Sequence, residues 1–140
     1  MDVLDRFERF YQELGHSSAS QLADVYDEKI VFIDPVAEHQ GLPSLKVYFQ
    51  NLMQNCRSCC FDMTIYRHGK STAFVTWTMR FEHAQLRGGK PISVDGVSQL
   101  DIAGDKITRQ RDYYDMGAMI YENVPLLGFV VAGLRRRIAA

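Results

Sequence analysis

Apolar residues near the start of the chain, Val3, Leu4, Phe7, Phe10, Tyr11 and Leu14, recur every three to four positions. That spacing gathers them on one face of an amphipathic helix, which Gly15 is placed to close. Ser18 followed by Gln21 has the form of a capping box and predicts a short second helix through Leu22, Ala23 and Tyr26. Lys29 to Ile33 is β-branched and aromatic and predicts a strand. Asp34-Pro35 ends it, because proline brings no N–H to a ladder. A loop then leads to Gly41. Pro43 suits the first turn of a third helix, with Leu45, Tyr48, Phe49 and Leu52 sharing a face.

Beyond that helix the period changes from helical to alternating. Phe61, Met63 and Ile65 alternate with Asp62 and Thr64, and His68-Gly69-Lys70 supplies a turn into a long run from Ser71 to about Ala84. In this run Ala73, Val75, Trp77, Met79 and Phe81 fall on one face, with Thr76, Thr78, Arg80 and Glu82 on the other. Gly88-Gly89 turns the chain into Pro91 to Ile102, and Gly104-Asp105 turns it again into Lys106 to Met116. Helices first and a four-stranded antiparallel meander afterwards predict an α+β fold, with helices covering one face of a curved sheet. The final segment, Gly117 to Ala140, is apolar and ends in Arg135-Arg136-Arg137, which predicts a helix whose C-terminal dipole favours cations, despite Pro125 and Gly128. Its expected use is as a lid or a dimer contact.

With 140 residues, 46% of them hydrophobic, the chain fits a single domain over residues 1–140 with a core of its own. A formal net charge of −1 leaves no basic stripe for a phosphate backbone, so nucleic acid is not an expected partner. The opening MDVLDRFERF is charged from its second residue, unlike a secretory signal, and no apolar run is long enough to span a bilayer. These features predict a cytoplasmic protein without a membrane partner. Cys56 and Cys59 form a C-x-x-C, but no second pair follows at zinc-site spacing, and a helix runs into a strand there. Reduced thiols at an element boundary are the simpler reading. The four histidines show no metal-site spacing.

Two stretches carry a resemblance: VFIDPVAEHQGLPSLKVYFQNL, from Val31 to Leu52, and GVSQLDIAGDKITRQRDYYD, from Gly96 to Asp115. A strand ending in Asp-Pro, a helix with a Tyr-Phe pair and a last strand carrying Arg-Asp-Tyr resemble the NTF2-like superfamily. That superfamily includes ketosteroid isomerases, SnoaL-type polyketide cyclases and limonene-epoxide-hydrolase-like enzymes. The resemblance implies a conical fold, with N-terminal helices against a strongly bent sheet, and a small hydrophobic ligand in its cavity. It implies no cofactor, and it implies a homodimer.

Position by position, Asp34 matches the general base of the ketosteroid isomerases, whose tuned carboxylates are a worked case of acid/base chemistry. Their helix-one tyrosine falls on Phe10, beside Tyr11, and their protonated acid falls on Ser98. Asp112 matches the last-strand acid of the epoxide hydrolases and polyketide cyclases. The hydrolases' partner arginine and second aspartate fall on Trp77 and Met79, and their tyrosine and asparagine fall on Phe32 and Asp34. The resemblance therefore implies an acid/base pair, Asp34 and Asp112, in one closed apolar cavity. Phe10, Tyr11, Phe32, Phe49, Trp77, Met79, Ser98 and Tyr114 are the implied ligand-binding residues. The implied activity is that of an isomerase, cyclase or hydrolase, with a non-catalytic ligand-binding or dimeric module as the alternative.

From the residues alone, Asp34 before proline is equally a turn former whose carboxylate bonds nearby backbone N–H groups. Asp112 has the alternative of an exposed strand residue paired with Arg109 or Arg111, although alternation puts Gln110, Asp112 and Tyr114 on the opposite face from those arginines. His39 either covers the cavity or is simply solvated.

Overall fold

The computed structural model describes residues 1–14, 19–124 and 127–140, with the backbone alone at residues 19, 55, 57 and 122. Helix α1 spans Val3–Gln12 and is started by Asp2, whose carboxylate accepts the Asp5 N–H while Asp5 accepts the Asp2 N–H. This reciprocal cap satisfies two N–H groups that a helix start leaves orphaned. Val3, Leu4, Phe7, Phe10 and Tyr11 are buried, as the spacing predicts. Gly15, Ser18 and Pro125, which entered the predicted boundaries, lie outside the described residues.

The predicted second helix is a 3₁₀ segment, Ala19–Asp24, and Tyr26 belongs instead to strand β1, Tyr26–Ile33. Pairing decides this: the Ile107 N–H donates to the Val25 carbonyl, and Tyr26 lies opposite Ile107 in a parallel ladder. The expected loop before Gly41 contains a short strand, β2 (Glu38–Gln40), which folds back antiparallel on β1. Gly41 has φ +89°, a conformation that favours glycine, and leads into α2, Leu42–Asn55.

Strands β3 (Cys56–His68), β4 (Thr72–His83), β5 (Ile92–Ala103) and β6 (Lys106–Tyr114) form the predicted antiparallel meander. The six strands make one curled, unclosed sheet in the order β2-β1-β6-β5-β4-β3, with β1 and β6 the parallel pair. Strand β3 starts five residues earlier than Phe61, so all three cysteines lie in it, and none is in a disulfide. A register shift between Cys56 and Ser58 lets two residues of β3 oppose one of β4 there.

Inward residues of β4, namely Ala73, Val75, Trp77 and Phe81, are buried against α1 and α2 together with Ile30, Phe32, Leu45 and Phe49. Alternation along each strand thus gives the sheet an apolar concave face and a polar outer one. After β6 the chain makes a short helix α3 (Met116–Met119), a 3₁₀ turn at Tyr121–Asn123 and helix α4 (Leu127–Ala139). The single predicted C-terminal helix is therefore divided. Asn123 holds the break by donating from its side chain to the carbonyls of Ala118 and Met119. No described helix is long and apolar enough to cross a membrane.

Candidate active site

Asp34 follows the last residue of β1, and the Asp-Pro turn fixes its carboxylate. Oδ1 accepts the N–H groups of Val36 and Ala37 at 2.8 and 2.9 Å. The turn-forming role is thus real, but it occupies one oxygen only. The other, Oδ2, accepts the phenol of Tyr48 at 2.5 Å. Tyr48 projects from α2, and its ring stacks on His39 with centroids 4.3 Å apart. Burial and then the adjacent Asp34 carboxylate push the Tyr48 phenol far above its ordinary range, so it remains a donor. His39 does not line the cavity. Its Nδ1 lies 2.9 Å from Ser44 Oγ, and its Nε2 is buried without a partner.

Asp112 sits on the concave face of β6, opposite Ser98 of β5. Two hydrogen-bonded chains converge on its Oδ1. In one, the Trp77 indole N–H donates to Ser98 Oγ at 2.9 Å, and Ser98 donates to Oδ1 at 2.6 Å. In the other, Gln110 Nε2 donates to Oδ1 at 2.9 Å, while Gln110 Oε1 accepts the Tyr26 phenol. Tyr11 lies 2.7 Å from Tyr26, and since Tyr26 gives its hydrogen to Gln110, Tyr11 is the donor there. Indole and amide N–H groups only donate, so both chains have a fixed direction. Among the described residues nothing bonds Oδ2.

With Oδ1 accepting two hydrogen bonds, Asp112 carries its proton on Oδ2 when it is neutral. Burial raises its carboxyl to about 6, against the opposing effect of the Ser98 and Gln110 bonds and with a smaller push from the charge of Asp34. Tyr114, at the end of β6, has a phenol without a hydrogen-bond partner among the described residues. Burial, followed by the two carboxylate charges, holds it protonated.

Both carboxylates line one cavity of about 330 Å³, with Trp77 and Phe49 in its wall. It is partly open rather than closed, and the exposed residues Val36 and Asn51 belong to its lining. Tyr11, Phe32, Met79, Ser98 and Tyr114 also line it. Phe10 does not: it is buried behind the wall, in edge contact with Tyr11 and Phe49. Helical geometry accounts for the exchange, since neighbouring residues differ by about 100° in direction and only one of the two rings faces the sheet. Met119 and Ile120, just past β6, reach the cavity. Helix α4 leaves Phe129, Val130, Leu134 and Ile138 exposed.

Sequence reasoning missed Tyr48, Gln110 and Tyr26 as members of the site. Gln110 was visible in the alternation with Asp112 and Tyr114. Tyr48 shared its helix face with Phe49, but its meeting with Asp34 joins residues 14 apart on different elements. Tyr26 was concealed by its assignment to a helix.

Among solved structures, a protein of ketosteroid-isomerase-like fold from Catenulispora acidiphila, described in complex with trimethylamine, is similar with a TM-score of 0.75. Identity is 13%, and the match covers 88% of this chain and 93% of that one. A protein from Jannaschia described as a SnoaL-like polyketide cyclase also gives 0.75, at 12% identity over 88% and 92%. A third, from Shewanella denitrificans and described in the same words, gives 0.70 at 18% identity over 84% and 90%. At these identities the likeness shows the fold. No curated protein matches the sequence. The sequence model of the SnoaL-like domain matches residues 7–110, most of the chain, and with the NTF2-like architecture this establishes that the chain belongs to the SnoaL-like domain family.

Proposed function

We propose that the chain, as a single domain, binds a small hydrophobic molecule in this cavity and acts on it by acid/base chemistry, as an isomerase or cyclase, with Asp112 as the proton-transferring group. The observation that carries the reading is the state of Asp112: a carboxyl raised to about 6, anchored through Oδ1, with Oδ2 unbonded among the described residues and in an apolar cavity. An acid/base group works best when its pKa lies near the working pH, and a cavity that limits water strengthens its interactions. The Tyr114 phenol supplies a donor for an oxygen that gains charge as a neighbouring C–H loses its proton. Asp34, held by Tyr48 and two backbone N–H groups, serves as a fixed negative charge beside it rather than as the first base.

The cavity volume falls at the lower end of the roughly 300–1,000 Å³ usual for small-molecule sites. The Catenulispora relative, described in complex with trimethylamine, supports the capacity of this fold to hold a small ligand. A homodimer is part of the proposal. The outer sheet face presents Tyr66, Phe74 and Tyr113, each more than a third exposed, with Tyr66 and Phe74 paired across β3 and β4 and Tyr113 two strands away on β6. Three cysteines outside any disulfide fit a reducing, cytoplasmic setting. Sedimentation would read the dimer as twice the 16.0 kDa chain mass.

A bicyclic ketone tests the chemistry. In deuterated buffer the protein is expected to accelerate exchange of the α-protons of 2-tetralone, followed by NMR, and Asp112→Asn to lose most of that acceleration, at least about tenfold given the 10²–10⁴ typical of such catalysis. Exchange that persists unchanged in a folded Asp112→Asn protein would remove the acid/base role. The second reading, a non-catalytic binding module, would then stand, favoured by the engagement of both Asp34 oxygens in structural bonds.

A further inference from the structure

We infer that the ligand of this cavity is an organic cation, a substituted ammonium group carried on an apolar body. The inference rests on the reading of the cavity as the binding site and specifies the charge of what it takes.

Two carboxylates, Asp34 and Asp112, face the cavity, and among its described lining residues there is neither lysine nor arginine. The lining histidine, His83, has its Nδ1 engaged by the Gln85 N–H. Asp34 accepts three hydrogen bonds, two on Oδ1 and one on Oδ2. Asp112 has two donors on one oxygen and an open oxygen toward the cavity. A neutral apolar ligand filling this space would strip the last water from Oδ2 and give nothing back, which is costly for a charged group. An ammonium centre restores the missing charge.

The wall favours the same chemistry. Phe32, Tyr48, Phe49, Phe61, Trp77 and Tyr114 line the same cavity as the two carboxylates, and the face of an aromatic ring attracts a cation. Trp77 and Tyr114 lie with centroids 5.9 Å apart, tilted by 58°, and Phe32 and Tyr48 lie 6.1 Å apart. Rings set at angles, with carboxylates among them, resemble the cages that hold alkylated ammonium groups.

Phenyltrimethylammonium and tert-butylbenzene have nearly the same shape and differ in charge. Trp77, the one tryptophan in the sequence, lines the cavity and reports binding by its fluorescence. At pH 7.5 phenyltrimethylammonium is expected to bind at least tenfold more tightly than tert-butylbenzene. That preference should shrink at least tenfold in Asp34→Asn/Asp112→Asn, with near-ultraviolet circular dichroism reporting the fold. If the double variant does not fold, the wild-type comparison decides alone. Equal or tighter binding of tert-butylbenzene would overturn the cation inference while leaving the cavity as a hydrophobic binding site. Failure of both compounds to perturb Trp77 would overturn the binding reading and the inference together.

Discussion

Ser98 Oγ donates to Asp112 Oδ1 at 2.6 Å, and because Ser98 also accepts the Trp77 indole N–H, its hydroxyl proton has a single direction. The serine thereby connects the wall of the cavity to its proton-carrying group. Ser98→Ala removes a bond that favours the ionised form of Asp112, so the carboxyl should titrate above its present value of about 6. Carboxyl ¹³C titration by NMR reads this directly, and a titration midpoint unchanged or lowered would contradict it. The stranded Trp77 N–H should also lower stability by about 1–3 kcal/mol.

Asp112 also makes stability depend on pH, with a sign opposite to that of a salt-bridged carboxylate. Its folded value of about 6 lies above the ordinary 3.8. Between roughly pH 4 and 6 the folded protein therefore keeps a proton that the unfolded chain has released, and the contribution of this group to stability falls as pH rises. Above that window no further loss follows. Asp112→Asn keeps an acceptor for Ser98 and Gln110 without the charge. Relative to wild type, it should gain about 1–2 kcal/mol more at pH 7.5 than at pH 4.5, measured by urea unfolding. An equal effect at both pH values would show that Asp112 is not held neutral by burial.

Tyr48→Phe keeps the stacking on His39 and removes the donor to Asp34 Oδ2. The expected loss is about 1.5–3 kcal/mol, the usual range for a hydrogen bond to a charged group. The turn itself should persist, since Val36 and Ala37 still hold Oδ1. Denaturant unfolding of Tyr48→Phe beside Asp34→Asn and the double variant gives the coupling between the two residues, and a coupling near zero would deny that the bond matters.

Gly96 lies opposite Trp77 in the β4–β5 ladder, and a Cβ built on it would come within 2.3 Å of two indole ring carbons. Gly96→Ala must therefore move the indole or the strand. The expected results are a loss of about 1–3 kcal/mol, the usual cost of overpacking, and a changed Trp77 emission as the indole leaves its bond to Ser98. An unshifted spectrum with wild-type stability would show that the strand yields instead.

Periodicity made most of the framework legible. The face of α1, the meander from β3 to β6 and the inward positions of β4 all follow from local spacing of three to four or of two, which sequence displays without any knowledge of partners. Tyr26 and β2 were not legible for the opposite reason. Each is a strand because of what lies beside it, Ile107 for Tyr26 and Val31 to Ile33 for β2, and such pairings join residues that no local pattern connects. The division of the C-terminal helix depends likewise on a side-chain bond from Asn123.

By itself the sequence determined that Asp34 closes a strand in a turn, and that Asp112 shares a strand face with Gln110 and Tyr114, because proline chemistry and alternation are local. Which carboxylate keeps an oxygen free was decided by the tertiary structure alone. Folding brings Tyr48 from α2 onto Asp34 and leads the chains from Trp77 and Tyr11 onto one oxygen of Asp112. Those partners come from six elements, α1, β1, α2, β4, β5 and β6, and only the curled sheet, with α1 and α2 laid across its concave face, brings them to the two carboxylates.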